Sequence, residues 1–178
     1  MADFIELYDI PFKGLETGTH HFGFDLRDSF FDHFDNDDSK GGSISIEAEM
    51  EKKDYLLSFS FTFTGSIRVI CDRCLETFDM ALAFESVLYV RFDEEKKAED
   101  ADVIYLDAKE HKLNIAEYFM ESIRLNLPIK RIHPSNENGV PLCNREMLEK
   151  LEQHRAKENK EKTDPRWDSL KNLKDKKY

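Results

Sequence analysis

Two consecutive runs in the middle of the chain alternate strictly between apolar and polar residues, and this pattern constrains the fold more than any other feature. A period of two places every second side chain on the same face of a β-strand, so each run predicts a strand with one buried face. Only the short polar stretch 51–54 separates the runs, which predicts an antiparallel hairpin. The apolar positions are Ile44, Ile46, Ala48 and Met50 in the first run and Leu57, Phe59, Phe61 and Phe63 in the second.

Further alternating segments flank this hairpin and extend the predicted sheet. They lie at 22–26, 78–84, 88–92 and 103–106, and the aromatic segment Phe4–Phe12 largely keeps one parity as well. Gly65 interrupts the second hairpin strand and predicts a bulge or bend, whereas the Asp-rich and Gly-rich stretch Asp32–Gly42 is typical of a loop. Six or so strands with polar outer faces predict a mainly antiparallel sheet that is strongly bent or forms an open barrel.

One helix is predicted at about residues 114–127. Asn114 followed by Glu117 resembles a capping box, and Pro128 cannot continue the helix. An apolar stripe at helical spacing predicts that the helix packs on the sheet as part of the core, so the predicted fold class is α+β. The stripe consists of Ala116, Phe119, Met120, Ile123 and Leu127.

From Asn144 onward the chain changes character. Residues 145–157 predict a charged helix with few apolar residues, and 154–163 has almost none and predicts a linker. Asp164 and Pro165 then favour the start of a short helix, which must dock on the body or on a partner because it is not stable alone. The predicted domains are a β-rich globular domain, 1–143, and a charged helical or flexible tail, 144–178.

The net charge of −11 is unevenly distributed. Residues 145–178 carry 11 of the 26 Lys/Arg and 8 of the 37 Asp/Glu, a balance of +3, which leaves −14 for residues 1–144. Nucleic-acid binding needs cations that neutralise phosphates, so a body of this sign favours a basic protein partner over bare RNA. Taken by itself, the acidity is better explained as what keeps a cytosolic protein in solution.

The location expected from the sequence is the cytoplasm, with no membrane partner. Residues 1–15 carry several charges and no continuous apolar region, and no run is long enough for a membrane helix. Cysteines in a reducing compartment are expected to stay free of structural disulfides.

Cys71 and Cys74 form a C-x-x-C pair between two predicted strands, which is half of a zinc site. Cys143 is a candidate third ligand and His133 a candidate fourth, so zinc is the candidate cofactor. The alternative is two half-buried thiols in a turn and a surface histidine. A redox pair is disfavoured, because such pairs open a helix after a strand, whereas strand follows strand here.

No catalytic residues are predicted. The sequence has no nucleophile elbow, no phosphate-binding loop and no dinucleotide fingerprint. A metal-dependent nuclease is therefore the least supported of the function classes considered.

Three blocks of the sequence resemble the YceD family, the large ribosomal RNA subunit accumulation proteins. Cys71-Asp-Arg-Cys74-Leu75 resembles its C-x-R-C signature, and Leu127-Pro128 with His133 and Cys143 resembles its second block. The ending Asp164-Pro-Arg-Trp167-Asp-Ser-Leu170 resembles its terminal D-P-R-W-x-x-L block. Many members carry more cysteines in the second block, so a zinc site in this chain requires His133.

This resemblance implies a role in accumulation of 23S ribosomal RNA and large-subunit biogenesis, without known catalytic activity. It also makes a ribosomal protein or an rRNA-processing factor the candidate partner. The residues expected to bind that partner are Asp164, Pro165, Arg166, Trp167 and Leu170. The alternative is direct binding of rRNA through the basic tail, whose cations include Arg155, Lys157, Lys160 and Lys162.

Overall fold

A computed structural model of the chain describes residues 4–34, 39–92, 103–107 and 109–155. The chain divides into two units, Met1–Cys143 and Asn144–Tyr178. The fold class is α+β, as predicted. The first unit contains a 3-10 helix, Phe4–Tyr8, strands β1 Asp9–Pro11, β2 Gly18–Leu26, β3 Gly42–Lys53, β4 Leu56–Ile70, β5 Thr77–Phe92, β6 Val103–Leu106 and β7 Lys112–Asn114, and helices α1 Asp28–His33 and α2 Ala116–Asn126; the second contains α3 Arg145–His154.

Five strands form a mixed sheet in the order β2-β3-β4-β5-β6, and β1 pairs with β7 in a separate two-stranded sheet. All pairs in the large sheet are antiparallel except β5 and β6, which run parallel. The predicted hairpin is confirmed as β3 and β4, with Ile46 opposite Phe63 and Met50 opposite Phe59. Within the described residues this sheet does not close into a barrel, so β2 is one of its edges.

Gly65 lies in a continuous part of β4, and the predicted bulge does not form there. The pairing of β4 with β3 and with β5 runs through this position without a break in register. A Cβ atom at Gly65 would lie 2.1 Å from the backbone oxygen of Ser43 on the neighbouring strand. The glycine is therefore explained by the close approach of two backbones rather than by a bulge.

Helix α2 packs on the inner face of the sheet through Phe119, which is completely buried. Its ring makes edge-to-face contacts with Tyr8, Phe24, Phe61 and Phe63, at centroid distances of 5.3–6.4 Å. Such contacts add to the stabilisation that burial of the ring gives. The predicted core role of this helix is confirmed.

The predicted capping box at the start of α2 does not form. The residue before the helix is Ile115, and it provides no side-chain cap. Asn114 is the last residue of β7, where its side chain donates to Asp9 Oδ1 at 2.7 Å and accepts from the Ala116 amide at 3.2 Å. Asn114 thus joins β1, β7 and the helix start, which is a tertiary role that a local motif cannot reveal.

Two further segments differ from their predictions. Phe4–Phe12, predicted as a strand, begins as a 3-10 helix and only Asp9–Pro11 pairs, because its partner β7 is itself three residues long. Part of the loop predicted from Asp32 belongs to helix α1, which buries Phe30 and Phe31. In both places aromatic residues of the segment are buried in the core.

The second unit is described only as far as Arg155. Helix α3 begins after Asn144, whose side chain accepts a hydrogen bond from the Met147 amide at 3.2 Å, and none of its residues is buried. None of the helices in the described ranges is long and apolar enough to cross a membrane.

Candidate metal centre

Cys71 and Cys74 lie in the turn that joins β4 to β5. The Leu75 amide donates to the Cys71 carbonyl, and the Cys71 amide donates to the Glu76 carbonyl, both at 2.9 Å. Leu75 has a φ of 63°, in the left-handed region, which reverses the chain towards β5. This tight turn holds two buried thiols close together, and the expectation that strand follows strand around the pair is confirmed.

The segment after α2 is hydrogen-bonded to the same turn. The Asp72 amide donates to the Arg131 carbonyl at 2.7 Å, and the Arg131 amide donates to Asp72 Oδ2 at 2.6 Å. Two residues further on, the His133 ring packs on Phe78 of β5 with centroids 4.4 Å apart. This arrangement places His133 Nδ1 3.3 Å from Cys74 Sγ.

Cys143 returns to this place through a small hairpin. Ser135 and Pro141 form an isolated antiparallel bridge, and the Leu142 amide donates to the Pro134 carbonyl at 3.0 Å. Gly139 occupies the turn with a φ of 75°, a conformation that glycine adopts without strain. The nine residues between His133 and Cys143 are thus folded back on themselves, so a spacing of ten positions is compatible with one site.

The four predicted ligands converge. One ligand atom each from Cys71, Cys74, His133 and Cys143 lies within 4.8 Å of all the others. Cys71 Sγ is 3.8 Å from Cys143 Sγ, far beyond the length of a disulfide of about 2.05 Å, and the thiols are free. In a tetrahedral site with Zn–S bonds of about 2.3 Å, two sulfurs lie roughly 3.8 Å apart. The donor set and the observed spacing therefore fit zinc.

The thiols differ in acidity. Burial would raise the pKa of Cys71, but hydrogen bonds from the backbone amides of Cys74, Arg73 and His133, with one from the His133 side chain, outweigh it and lower that pKa to about 6. Burial raises the pKa of Cys143, and its nearness to Cys71 raises it further. One thiolate therefore forms readily, and a bound cation would stabilise the others.

Three cysteines and one histidine would occupy all four positions of a tetrahedral zinc ion. Structural zinc sites are closed in this way, whereas catalytic sites keep one position for water or substrate. When bound, the ion would supply a cross-link between the β4–β5 turn and the 133–143 segment. The chemistry of this donor set is therefore that of a fold-stabilising centre.

Sequence reasoning found the four residues that converge but missed the residues that hold them in place. Asp72 binds the incoming segment and Phe78 supports the histidine ring. The small hairpin could have been found from Asn136, whose side chain accepts from the amides of Asn138 and Val140, followed by Gly139. Asp164, Pro165, Arg166, Trp167 and Leu170, predicted to bind a partner, lie outside the described residues.

The first unit is thus an α+β domain in which three cysteines and one histidine, from a hairpin turn and a later segment, converge on one place. Residues 59–174 match the model of one family, described as large ribosomal RNA subunit accumulation protein YceD. The chain belongs to the YceD family, as the three sequence blocks predicted. Searches of curated proteins and of solved structures gave no significant match.

Proposed function

We propose that this chain is a non-enzymatic cytoplasmic factor that supports accumulation of 23S rRNA during large-subunit biogenesis. The observation that carries the proposal is the family match, which spans the C-x-x-C turn, the second block and the terminal block. The family description names accumulation of an RNA and not a reaction. A closed donor set with no open position agrees with a role without catalysis.

The centre formed by Cys71, Cys74, His133 and Cys143 binds one structural zinc ion in this proposal. Its support is the convergence of all four ligand atoms within 4.8 Å, although they come from two distant parts of the sequence. Native mass spectrometry of the full chain tests it, with one zinc per chain expected. The double variant Cys71→Ser, Cys74→Ser should carry none, and Leu75→Ala, an exposed non-ligand of the same turn, should keep its zinc. A metal-free wild-type chain, purified without chelator, would contradict the site.

The partner in this proposal is a basic ribosomal protein or an rRNA-processing protein. Residues 1–144 carry a net charge of −14, which attracts a basic surface and repels RNA phosphates at long range. The terminal block, Asp164, Pro165, Arg166, Trp167 and Leu170, supplies the contact, with Trp167 as its aromatic anchor.

A pull-down from the source cell tests this contact. The baits are the full chain, a chain that ends at Thr163, Trp167→Ala, and Asn172→Ala as a matched control in the same segment. Ribosomal or RNA-processing proteins should bind the full chain and the Asn172 variant and be lost from the other two. Unfolding of the Trp167 variant, seen by circular dichroism, would instead make the tryptophan part of the core.

Direct binding of rRNA is the second candidate, and the +3 balance of residues 145–178 favours it. Cations that displace counterions from phosphates give an affinity that falls steeply with salt. The affinity of the full chain for a 23S rRNA fragment, measured at about 50 and about 200 mM salt, tests direct binding of RNA. An affinity that does not change between these concentrations excludes contact through the basic tail.

A further inference from the structure

Among the described residues, most of one edge of strand β5 has no backbone partner. The strand pairs with β4 along Thr77–Arg91, but on its other side only Tyr89–Phe92 pair with β6. Within the described residues, no backbone group of the chain bonds to the open side of Thr77–Glu85. A strand edge of this length presents unpaired amides and carbonyls that another strand can bind.

The direction of these unpaired groups follows from one contact. The Tyr118 hydroxyl of α2 donates to the Val87 carbonyl at 3.1 Å, so this carbonyl points away from β4. Backbone groups alternate in direction along an antiparallel strand. The amides and carbonyls that face the open side therefore belong to the odd-numbered residues Thr77, Asp79, Ala81, Ala83 and Glu85.

The open edge has little protection against pairing with a basic strand. Proteins guard edges with charged side chains, proline, bulges or inward-pointing charges. Residues 77–85 contain no lysine, no proline, no break in register with β4 and no inward-pointing charge, and their only charges are the outward carboxylates Asp79 and Glu85, which would repel an acidic strand but attract a basic one. The inward positions of the edge are apolar, namely Phe78, Met80, Leu82 and Phe84, and Ala81 and Ala83 on the outer face are small. The other edge differs, because β2 turns the polar His20 inward and contains Gly23.

Charge and apolar surface define what fits this edge. Asp79 is already paired with Arg68, whereas Glu85 has no ion-pair partner among the described residues. Glu85 and Glu47 both pair with Thr62 of the strand between them, so the two carboxylates lie on the same face of the sheet. On the inner side Phe78, Met80 and Phe84 remain partly exposed. A complementary strand would place lysine or arginine over the outer face and apolar side chains over the inner face.

The far end of the edge opens into a groove between β5 and α2. Val87, Tyr89 and Leu125 line this groove and are 43%, 42% and 85% exposed. Ser86 also lines it, and its hydroxyl is buried without a hydrogen-bond partner in the described parts of the chain. The groove thus offers apolar surface and one unsatisfied polar group to an incoming segment.

We infer that the edge Thr77–Glu85 binds an extended segment of a partner protein, with alternating basic and apolar residues, as an added strand. This inference rests on the proposed function, which supplies a basic protein as the partner. Main-chain hydrogen bonds would give affinity in this mode, and alternate side chains would give specificity. The acidic body strengthens the attraction to such a segment.

Hydrogen exchange of the ¹⁵N-labelled full chain tests the added strand directly. The probe is an eight-residue peptide of alternating lysine and valine with blocked ends, and its control is the same peptide with glutamate in place of lysine. Binding should slow exchange about tenfold or more at the amides of Asp79, Ala81, Ala83 and Glu85. The even-numbered amides, already bonded to β4, should not change, and the glutamate peptide should not bind.

A pair of variants separates strand addition from other surface binding. Ala83→Pro removes an amide that faces the open side without removing a bond to β4, and should lower peptide affinity about tenfold. Ala83→Val keeps the amide and should bind like the wild type. If the proline variant does not fold, the exchange pattern of the wild type decides. Lack of binding, binding without odd-residue protection, or equal affinity of two folded variants would overturn the inference.

The failure of this inference and the failure of the proposed function give different results. The peptide experiment contains no ribosomal component, so a negative result rejects the edge and leaves the rRNA role untouched. If the peptide binds at the edge but no ribosomal or RNA-processing protein is captured by the full chain, the binding mode stands and the proposed function falls.

Discussion

Removal of zinc from the centre should cost this protein a large part of its stability. The shortest link across the site joins Cys74 to His133, 59 residues apart, and the longest joins Cys71 to Cys143, 72 residues apart. The chain-entropy expression for a cross-link closing a loop of this length gives about 4 kcal/mol at 25 °C, and a metal that clips a long loop acts in the same way. Because a whole domain is stable by only about 5–15 kcal/mol, this loss is readily measured.

Urea unfolding of the full chain, followed by circular dichroism with and without a zinc chelator, measures this loss. The chelator should lower the free energy of unfolding of the wild type by about 4 kcal/mol and the melting temperature on the order of 10 °C. The double variant Cys71→Ser, Cys74→Ser should begin at the lower value and not respond to chelator. Leu75→Ala, exposed in the same turn, should respond like the wild type.

Three results would refute this reasoning. A wild-type protein whose stability ignores the chelator would show that the four side chains do not hold a stabilising ion. A protein that loses stability on reduction, and not on chelation, would instead contain a Cys71–Cys143 disulfide, formed by closing the 3.8 Å gap between the sulfurs. Equal chelator responses of the double variant and the wild type would also contradict the assigned ligands.

Three further predictions concern the fold and are measured by urea or thermal unfolding. Gly65→Ala should cost on the order of 2 kcal/mol, because its Cβ would lie 2.1 Å from a β3 carbonyl oxygen, whereas Gly23→Ala, with open space around it, should cost little. Phe119→Ala should cost about 4 kcal/mol, as a fully buried ring is lost; a loss below about 1 kcal/mol would contradict its central position. Burial opposes ionisation of Asp9, but hydrogen bonds from Lys112 and a nearby asparagine lower its pKa. The stability that the ionised Asp9 contributes is therefore present above its unfolded pKa and is lost as the pH falls through the lower pKa of the folded state. Asp9→Asn should make the free energy of unfolding depend less on pH in acid. A pH profile of stability that is the same for the variant and the wild type would contradict this.

The sequence predicted the central strands well because burial alternates along them. The period of two at Ile44–Met50 and Leu57–Phe63 shows which face of each strand packs on the core, and it can be read from each segment alone. Phe4–Phe12 shows where the reasoning fails, because its aromatic residues pack on a core built from distant segments. Asn114 fails for the same reason, since its side chain bonds to Asp9, which lies 105 residues away.

The candidate metal centre was predictable in composition but not in construction. The spacing of Cys71 and Cys74 predicts half of a metal site. His133 and Cys143 lie close enough to complete the set of four only because a small hairpin brings them together. The edge of β5 that is open among the described residues could not be predicted, because a period of two identifies strands without giving their order in the sheet. Strand order depends on long-range pairing, which no single segment encodes.

The most direct test of the central claim is the ratio of 23S to 16S rRNA in source cells that lack this chain. Removal of the chain should lower the ratio, and re-expression of the full chain should restore it. A chain that ends at Thr163 should fail to restore it, since the terminal block supplies the proposed contact. A ratio that is the same with and without the chain would contradict a role in accumulation of large-subunit rRNA.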